Sequence, residues 1–418
     1  MAPLQPERPA LPLKLYLAFV VQGGANLVPW QVFIALVDYF QYTYHSNSVE
    51  FYFPAISTSV LVLTAALMAL VGQRLSFRAR IFWPSVVLVC FSTAVPIISL
   101  LLAAELITPG RALELTLLAV PVNAFCSATA QNALFGLGAL IGDGATGALQ
   151  VGNGLTGVLS VLLRAVSRMG ARPVVSMWSF CTLSAAVLVA ACVSYHTTIA
   201  PALALVMSRR RSSWNGGANG GVAGKGRGAP LSAEYYEALL GEDGPSRARC
   251  VSNVWRESLC VFVVFAVALS CFPGLSTSLT SSTWELGSWY PLVLVGCFNV
   301  GDLLGKSLPA RVRLVGRRTL PWWTLLHGGY VLVFLVLLRP ELLPPPLQGD
   351  ALPVLVVLSF GASTGYLGCT CLLLAAEAET SRGARERAGV ISSFALMVGL
   401  SVGSASGLLI SKTVAASS

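Results

Sequence analysis

Stretches of mostly apolar residues, each long enough to cross a bilayer, recur along almost the whole of this 418-residue chain. A spanning helix needs roughly 20 such residues, because only a helix or a closed barrel satisfies its own backbone polar groups within hydrocarbon. Composition agrees: 55% of residues are hydrophobic and 11% charged, against about 25% charged in soluble domains. The runs between charged or Pro/Gly-rich breaks predict helices over 12–36, 51–72, 81–104, 113–141, 146–167, 174–206, 256–276, 286–308, 319–338, 351–376 and 388–411. Gly136, Gly138, Gly142, Gly144 and Gly147 leave the junction of the fourth and fifth open. The expected fold is therefore an all-α polytopic membrane protein with eleven transmembrane helices in a 6+5 arrangement.

The division falls at 207–255, where Arg209-Arg210-Arg211, a Gly-rich stretch to Gly228 and a short acidic patch read as a flexible cytoplasmic linker. Residues 1–206 then form an N-terminal six-helix bundle and 256–418 a C-terminal five-helix bundle. No cleavable signal peptide is evident, so the first apolar run is expected to stay as the first helix. With the N-terminus cytoplasmic, most of the 27 Lys and Arg fall on the inner side, among them Arg74, Arg78, Arg80, Arg311, Arg313, Arg317, Arg318, Arg385 and the basic residues of 207–256. That asymmetry predicts an extracytoplasmic C-terminus; Arg164, Arg168 and Arg172 fit it badly. The plasma membrane is the default location, for want of another address.

The net charge of +9 fits basic inner loops better than nucleic acid in so apolar a chain. The ten cysteines contain no CxxC pair. Cys369 and Cys371, spaced C-x-C, could hold a soft metal, but small buried hydrophobes describe them better. An enzyme is disfavoured: His45, His196 and His327 are far apart, and no HExxH, GxSxG or P-loop pattern occurs.

Against this apolar background, Phe298-Asn299-Val300-Gly301-Asp302-Leu303-Leu304-Gly305-Lys306 places an amide, a carboxylate and an ammonium on one expected helix. Asp302 and Lys306, four apart, lie one turn from each other, and Asn299 joins their face. Ionisable groups inside a membrane are costly, and they usually face a cavity, find a partner and mark a solute route. A structural ion pair, with Lys306 reaching the interface, is the alternative. Gln131 sits inside another apolar helix, where an amide serves either a solute or a neighbouring helix. Trp30, beside the helix-weakening Pro29, offers a stacking face or an interfacial anchor.

These segments also resemble the equilibrative nucleoside transporter family. The resemblance rests on Pro273-Gly274 and Ser281-Ser282-Thr283-Trp284, then Asn299-x-x-Asp302-x-Leu304-Gly305-Lys306; on Leu27-Val28-Pro29-Trp30 with Asp38-Tyr39-Phe40; and on Asn123-x-Phe125 through Gln131 to Gly136, then Gly152-Asn153-Gly154. Glu377-Ala378-Glu379-Thr380 and Gly399-Leu400-x-x-Gly403 complete it, in family order. It implies a fold similar to the major facilitator architecture and alternating access around a central nucleoside site. Trp30, Gln131, Asn299, Asp302 and Lys306 become expected substrate contacts, with Leu27, Ile34, Asn153 and Glu377 as further contact or gating positions. Lys306 stands where the family commonly has Arg, and Asn153 where it commonly has Gln. The first outer loop, 37–50, is short and lacks an N-x-S/T sequon, which resembles plant or protist members more than animal ones. The implied ligands are nucleosides, or nucleobases, in a lipid bilayer, with no nucleic acid and no cofactor. The oligomeric state is not legible. Coupling to protons stays open, with Asp38, Glu285 and Asp302 as the acidic candidates. A carrier of another small polar solute, such as a sugar or organic cation, is the second reading.

Overall fold

The computed structural model describes residues 11–36, 39–40, 43, 49–169, 173–204 and 247–417. Their principal helices are α1 Leu13–Ala35, α2 Val49–Val71, α3 Trp83–Ala103, α4 Pro109–Ile141, α5 Asp143–Arg168, α6 Pro173–Ser194, α7 Arg247–Cys271, α8 Tyr290–Ser307, α9 Leu320–Gly328, α10 Tyr330–Leu337, α11 Ala351–Glu377 and α12 Arg382–Ser417. Eight helical segments among the described residues are long and apolar enough to cross a membrane. Helix α8 falls short of that measure because Asn299, Asp302 and Lys306 interrupt it.

The open junction between α4 and α5 closes at Gly142. Its φ of 138° is one that side-chain-bearing residues rarely adopt, so the chain breaks there and nowhere else in the glycine-rich run. Entry into α4 is set by Thr108, whose hydroxyl accepts from the backbone N–H of Arg111, with Pro109 at the first helical position. Part of the expected linker is helical: α7 already begins at Arg247. Its early turns pack Cys250 and Val254 against Ala375 and Ala388, so tertiary contact extends the helix into polar sequence. Similarly α12 begins at Arg382 instead of 388. The expected linker residues 207–246 and the acidic candidate Asp38 lie outside the described residues.

Small residues decide which helices pair. Helix α8 runs along α11 with glycines on both sides. A Cβ on Gly301 would stand 2.2 Å from the Leu358 carbonyl oxygen, and one on Gly365 2.2 Å from that of Asp302. Gly305 and Gly361 meet equally close backbone. Backbones approach this closely only without side chains, the small-xxx-small device of membrane helices. Helices α1 and α5 repeat it, Gly23 lying on the Leu149 carbonyl and Gly152 on that of Val20. The segments before 205 and after 246 meet where α5 packs on α8 and where α12 packs on α2 and α4.

Candidate functional site

Two polar clusters sit on the helices that these glycines draw together. The first is built on α1, α4 and α5. Asn26 Nδ2 donates to Gln131 Oε1 at 3.2 Å, and Asn153 Nδ2 donates to Gln150 Oε1 at 3.3 Å. Asn26, Gln131 and Asn153 are half-buried and line a common cavity of about 10 Å³ together with Gly23, Phe135 and Leu149. That is room for about one water, so the cluster is closed to a small molecule in this conformation.

The second cluster is on α8. Lys306 Nζ donates to Asp302 Oδ2 at 2.5 Å, and the two residues keep only 8% and 7% exposure. The i,i+4 spacing thus gives the pair read from the sequence. Asn299 donates to its own helix at the Val295 carbonyl, 3.0 Å away, and turns its Oδ1 toward α5. A Cβ on Gly157 would lie 2.3 Å from that oxygen, and one on Gly154 2.9 Å from the Leu303 Cα. Helix α5 therefore presents Asn153 to the first cluster and Gly154 and Gly157 to the second.

Trp30 and Leu27 are half-buried on α1, downstream of Asn26. Ile34 is on the same helix, and its side chain lies outside the described residues. A larger cavity of about 40 Å³ opens beside this stretch, lined by Val28, Gln31, Thr156, Ser160, Phe180 and Ser184 among others.

Glu377 joins neither cluster and pairs instead at the end of the bundle that carries Arg311, Arg313, Arg317 and Arg318. There Arg313 bridges two carboxylates: its Nη1 donates to Glu377 Oε1 at 2.5 Å and its Nη2 to Asp143 Oδ2 at 2.8 Å. Burial disfavours the guanidinium charge, but Glu377 and Asp143 outweigh it and hold the Arg313 pKa above its ordinary value. A second link at this end is enclosed. Arg80 Nη2 donates to Glu386 Oε1 at 2.8 Å, with both side chains almost fully buried. Arg80 precedes α3 and Glu386 is on α12, so both links join the first part of the chain to the last. Arg317, which pairs with Glu257 and the Asn253 carbonyl, stays within the last part.

The sequence reading did not single out Asp350, the residue before α11. Its carboxylate accepts from Ser281 Oγ at 2.7 Å and from the backbone N–H groups of Ser282, Thr283 and Trp284 at 2.8, 3.2 and 2.7 Å. The Ser281-Ser282-Thr283-Trp284 motif is thus a cradle for one carboxylate. Burial opposes the charge, but these donors more than compensate and hold Asp350 well below the usual carboxylate range. A folded-state pKa below the unfolded one gives stabilisation that is complete above the ordinary carboxylate value and is lost as pH falls from there to the depressed folded-state value. Asp350→Ala is accordingly expected to lower the melting temperature of the purified protein at pH 7. The difference from wild type should shrink below about pH 4; a difference independent of pH would place the effect elsewhere.

A family model described as nucleoside transporter matches residues 246–411. Equilibrative nucleotide transporter 1 of Arabidopsis thaliana is 24% identical over 412 residues, covering 93% of this chain and 84% of that protein. Equilibrative nucleoside transporter 2 of Rattus norvegicus is 27% identical over 444 residues, covering 93% of this chain and 94% of that protein. Its last helices thus match the nucleoside transporter model, and along nearly its whole length the chain is similar to equilibrative nucleoside and nucleotide transporters. Among solved structures, the major facilitator superfamily proton:xylose symporter XylE superposes with a TM-score of 0.56 at 14% identity, over 96% of this chain and 88% of that one. At that identity the likeness is one of fold. With eight helical segments long and apolar enough to cross a membrane among the described residues, the chain is a multi-pass integral membrane protein.

Proposed function

We propose that this chain is a carrier, not an enzyme, that moves nucleosides across a membrane by alternating access between its first and last groups of helices. The observation that carries this reading is the Asp302–Lys306 pair, buried on α8 beside α5 in an otherwise apolar bundle. A nucleoside offers a flat base and a hydroxyl-rich sugar. Asp302, acceptor-only when ionised, suits ribose hydroxyls, with Lys306 as its counter-charge. Gln131 and Asn153 suit a base edge, Trp30 its face, and Leu27 and Ile34 the adjoining wall of α1. Asn299 contributes where α8 meets α5. Nucleobases, which share the base, are candidate substrates too.

In this reading α1, α2 and α8 join the eight apolar segments as spans, for eleven in a 6+5 arrangement. The basic end faces the cytoplasm, so the N-terminus is inside, the C-terminus outside, and the plasma membrane is the location tested first. The Arg313 bridge, with Glu377 as its gating member, and the Arg80–Glu386 pair then close the cytoplasmic side in the conformation described here. For Trp30→Ala, the expected result is a fall of about tenfold in apparent affinity with little change in surface amount, since base–aromatic stacking contributes about 1–3 kcal/mol. Unchanged affinity would return Trp30 to the role of an interfacial anchor.

Uptake of radiolabelled adenosine and uridine into cells lacking their own nucleoside carriers, at two external pH values, tests the function. Saturable uptake is expected. A rate that rises on external acidification would indicate proton coupling through Asp302 or another carboxylate, and a rate independent of pH would indicate facilitated exchange. No uptake by protein correctly inserted at the surface would overturn the nucleoside reading.

A further inference from the structure

We propose that the crevice between α7 and α9 at the basic end binds the headgroup of an anionic phospholipid, with its phosphate held by Arg256 and Arg318. The site faces the membrane and stands whatever solute the chain carries. Helix α9 packs on α7. Arg317, just before α9, sets the level at which they meet, donating to the Glu257 carboxylate and to the Asn253 carbonyl. Asn253 and Glu257 therefore mark the row of α7 that faces α9. At 3.6 residues per turn, Arg256 lies about 60° to one side of Asn253 on α7. The opposite flank is covered: Val254 packs on Ala375 and Ala388, and Ser258 Oγ meets Ser392 Oγ at 3.5 Å. Arg256 stands instead on the open flank, with Trp255 and Leu259, each 51% exposed. Arg318, next to the pinned Arg317, is held at the same level across the crevice.

The charge at this point is not balanced by protein. Glu257 is fully buried and taken by Arg317. Arg256 and Arg318 are exposed and have no acidic partner among the described residues. The Arg256 guanidinium lies 5.5 Å over the Trp255 ring, which orients the cation without neutralising it.

The same point lies at headgroup depth. Trp322 and Trp323, in the first turn of α9, are 72% and 48% exposed, and tryptophan concentrates where hydrocarbon gives way to headgroups. The apolar segment Ala248–Thr277 has 30 residues. It is thus about 45 Å long, against about 30 Å of hydrocarbon, so its first turns stand among headgroups. A guanidinium fork binds phosphate oxygens in pairs, and two forks suit a phosphodiester whose headgroup adds no cation of its own. Phosphatidylcholine returns a positive charge to the site, whereas phosphatidylserine keeps a net negative one. The acyl chains then run along Leu259 and Leu326, both exposed below the arginines. In the topology proposed above this is the cytoplasmic leaflet, where anionic lipids are concentrated.

The test is native mass spectrometry of the full chain in mild detergent, with phosphatidylserine or phosphatidylcholine of identical acyl chains titrated in. The expected result is one phosphatidylserine retained per chain, about 30-fold more tightly than phosphatidylcholine. Arg256→Gln and Arg318→Gln should each cost about fivefold, and the double variant most of the preference. Arg74→Gln/Arg78→Gln, which removes two other exposed arginines, should leave it unchanged. Excess inorganic phosphate should not displace the lipid, because phosphate alone lacks the chains. Equal retention of the two lipids, or unchanged retention in the Arg256→Gln/Arg318→Gln variant, overturns the proposal. So does an equal loss in the Arg74→Gln/Arg78→Gln variant, which would reduce the effect to net charge, and so does displacement by inorganic phosphate. Should the double variant prove unstable, the two single variants and the wild-type ratio decide. None of these results depends on nucleoside uptake, so the carrier reading and this proposal fail separately.

Discussion

Asp302→Asn is expected to reduce nucleoside uptake by about 10- to 100-fold while most of the protein still reaches the membrane. The substitution keeps the shape of the side chain and removes its charge. A hydrogen bond to a charged acceptor contributes about 1.5–3 kcal/mol, and losing it in the translocation cycle accounts for a change of that size. The partner charge is the complication, because Lys306 is only 8% exposed and its ammonium loses its counter-charge. Lys306 lies in the last turn of α8, however, near the Arg311–Arg313 end, and its flexible stem can carry the ammonium outward. Insertion should therefore suffer less than transport. Uptake normalised to the amount of protein at the surface separates the two. Near-normal uptake at normal surface amount would remove Asp302 from the substrate route and leave a structural ion pair. Lys306→Arg, which retains a cation against Asp302, is expected to keep most of the activity.

The second large effect concerns the enclosed pair at the basic end. Arg80→Leu leaves Glu386 without its ionic partner among the described residues, at a position with 0% exposure. Breaking a buried pair from one side costs about 3–5 kcal/mol, because the remaining charge is stranded, whereas replacing both partners by apolar residues is often neutral. Arg80 Nε and Glu386 Oε2 have no partners even in the intact pair, so its own net contribution is small. The expectation is a marked loss of thermal stability in Arg80→Leu and recovery of most of it in the Arg80→Leu/Glu386→Leu double variant. Because the pair joins the two groups of helices, the double variant should also expose the basic end more readily to a thiol reagent at an introduced cysteine. A double variant as unstable as the single one would show that the cost does not come from a stranded charge.

What could be read from the sequence follows from the range of the interactions involved. Helix positions were legible because each span is a local apolar run, and the Asp302–Lys306 pair because four residues on a helix make one turn. The Gly142 break was visible only as one of several glycines, since a positive φ has no sequence signature of its own. The early start of α7 depends on Cys250 and Val254 meeting Ala375 and Ala388, more than a hundred residues away, and polar local sequence concealed it. The same limit hid the partners of the site. Arg80 looked like one more basic residue beside a span, and nothing local joins it to Glu386, 306 positions later. The cradle around Asp350 appeared as a motif without the carboxylate it holds. Asn26 is a missed residue with a readable signal, an amide in an apolar helix four residues before Trp30.

The most direct measurement is counterflow with the purified protein in sealed liposomes. Vesicles loaded with unlabelled adenosine are diluted into a trace of radiolabelled adenosine, and the label inside is followed with time. A carrier that exposes one binding site alternately to each side must accumulate label transiently above the level in unloaded vesicles, and Asp302→Asn must lose most of that overshoot. An absence of overshoot with wild-type protein that is folded and inserted would contradict a nucleoside carrier working by alternating access.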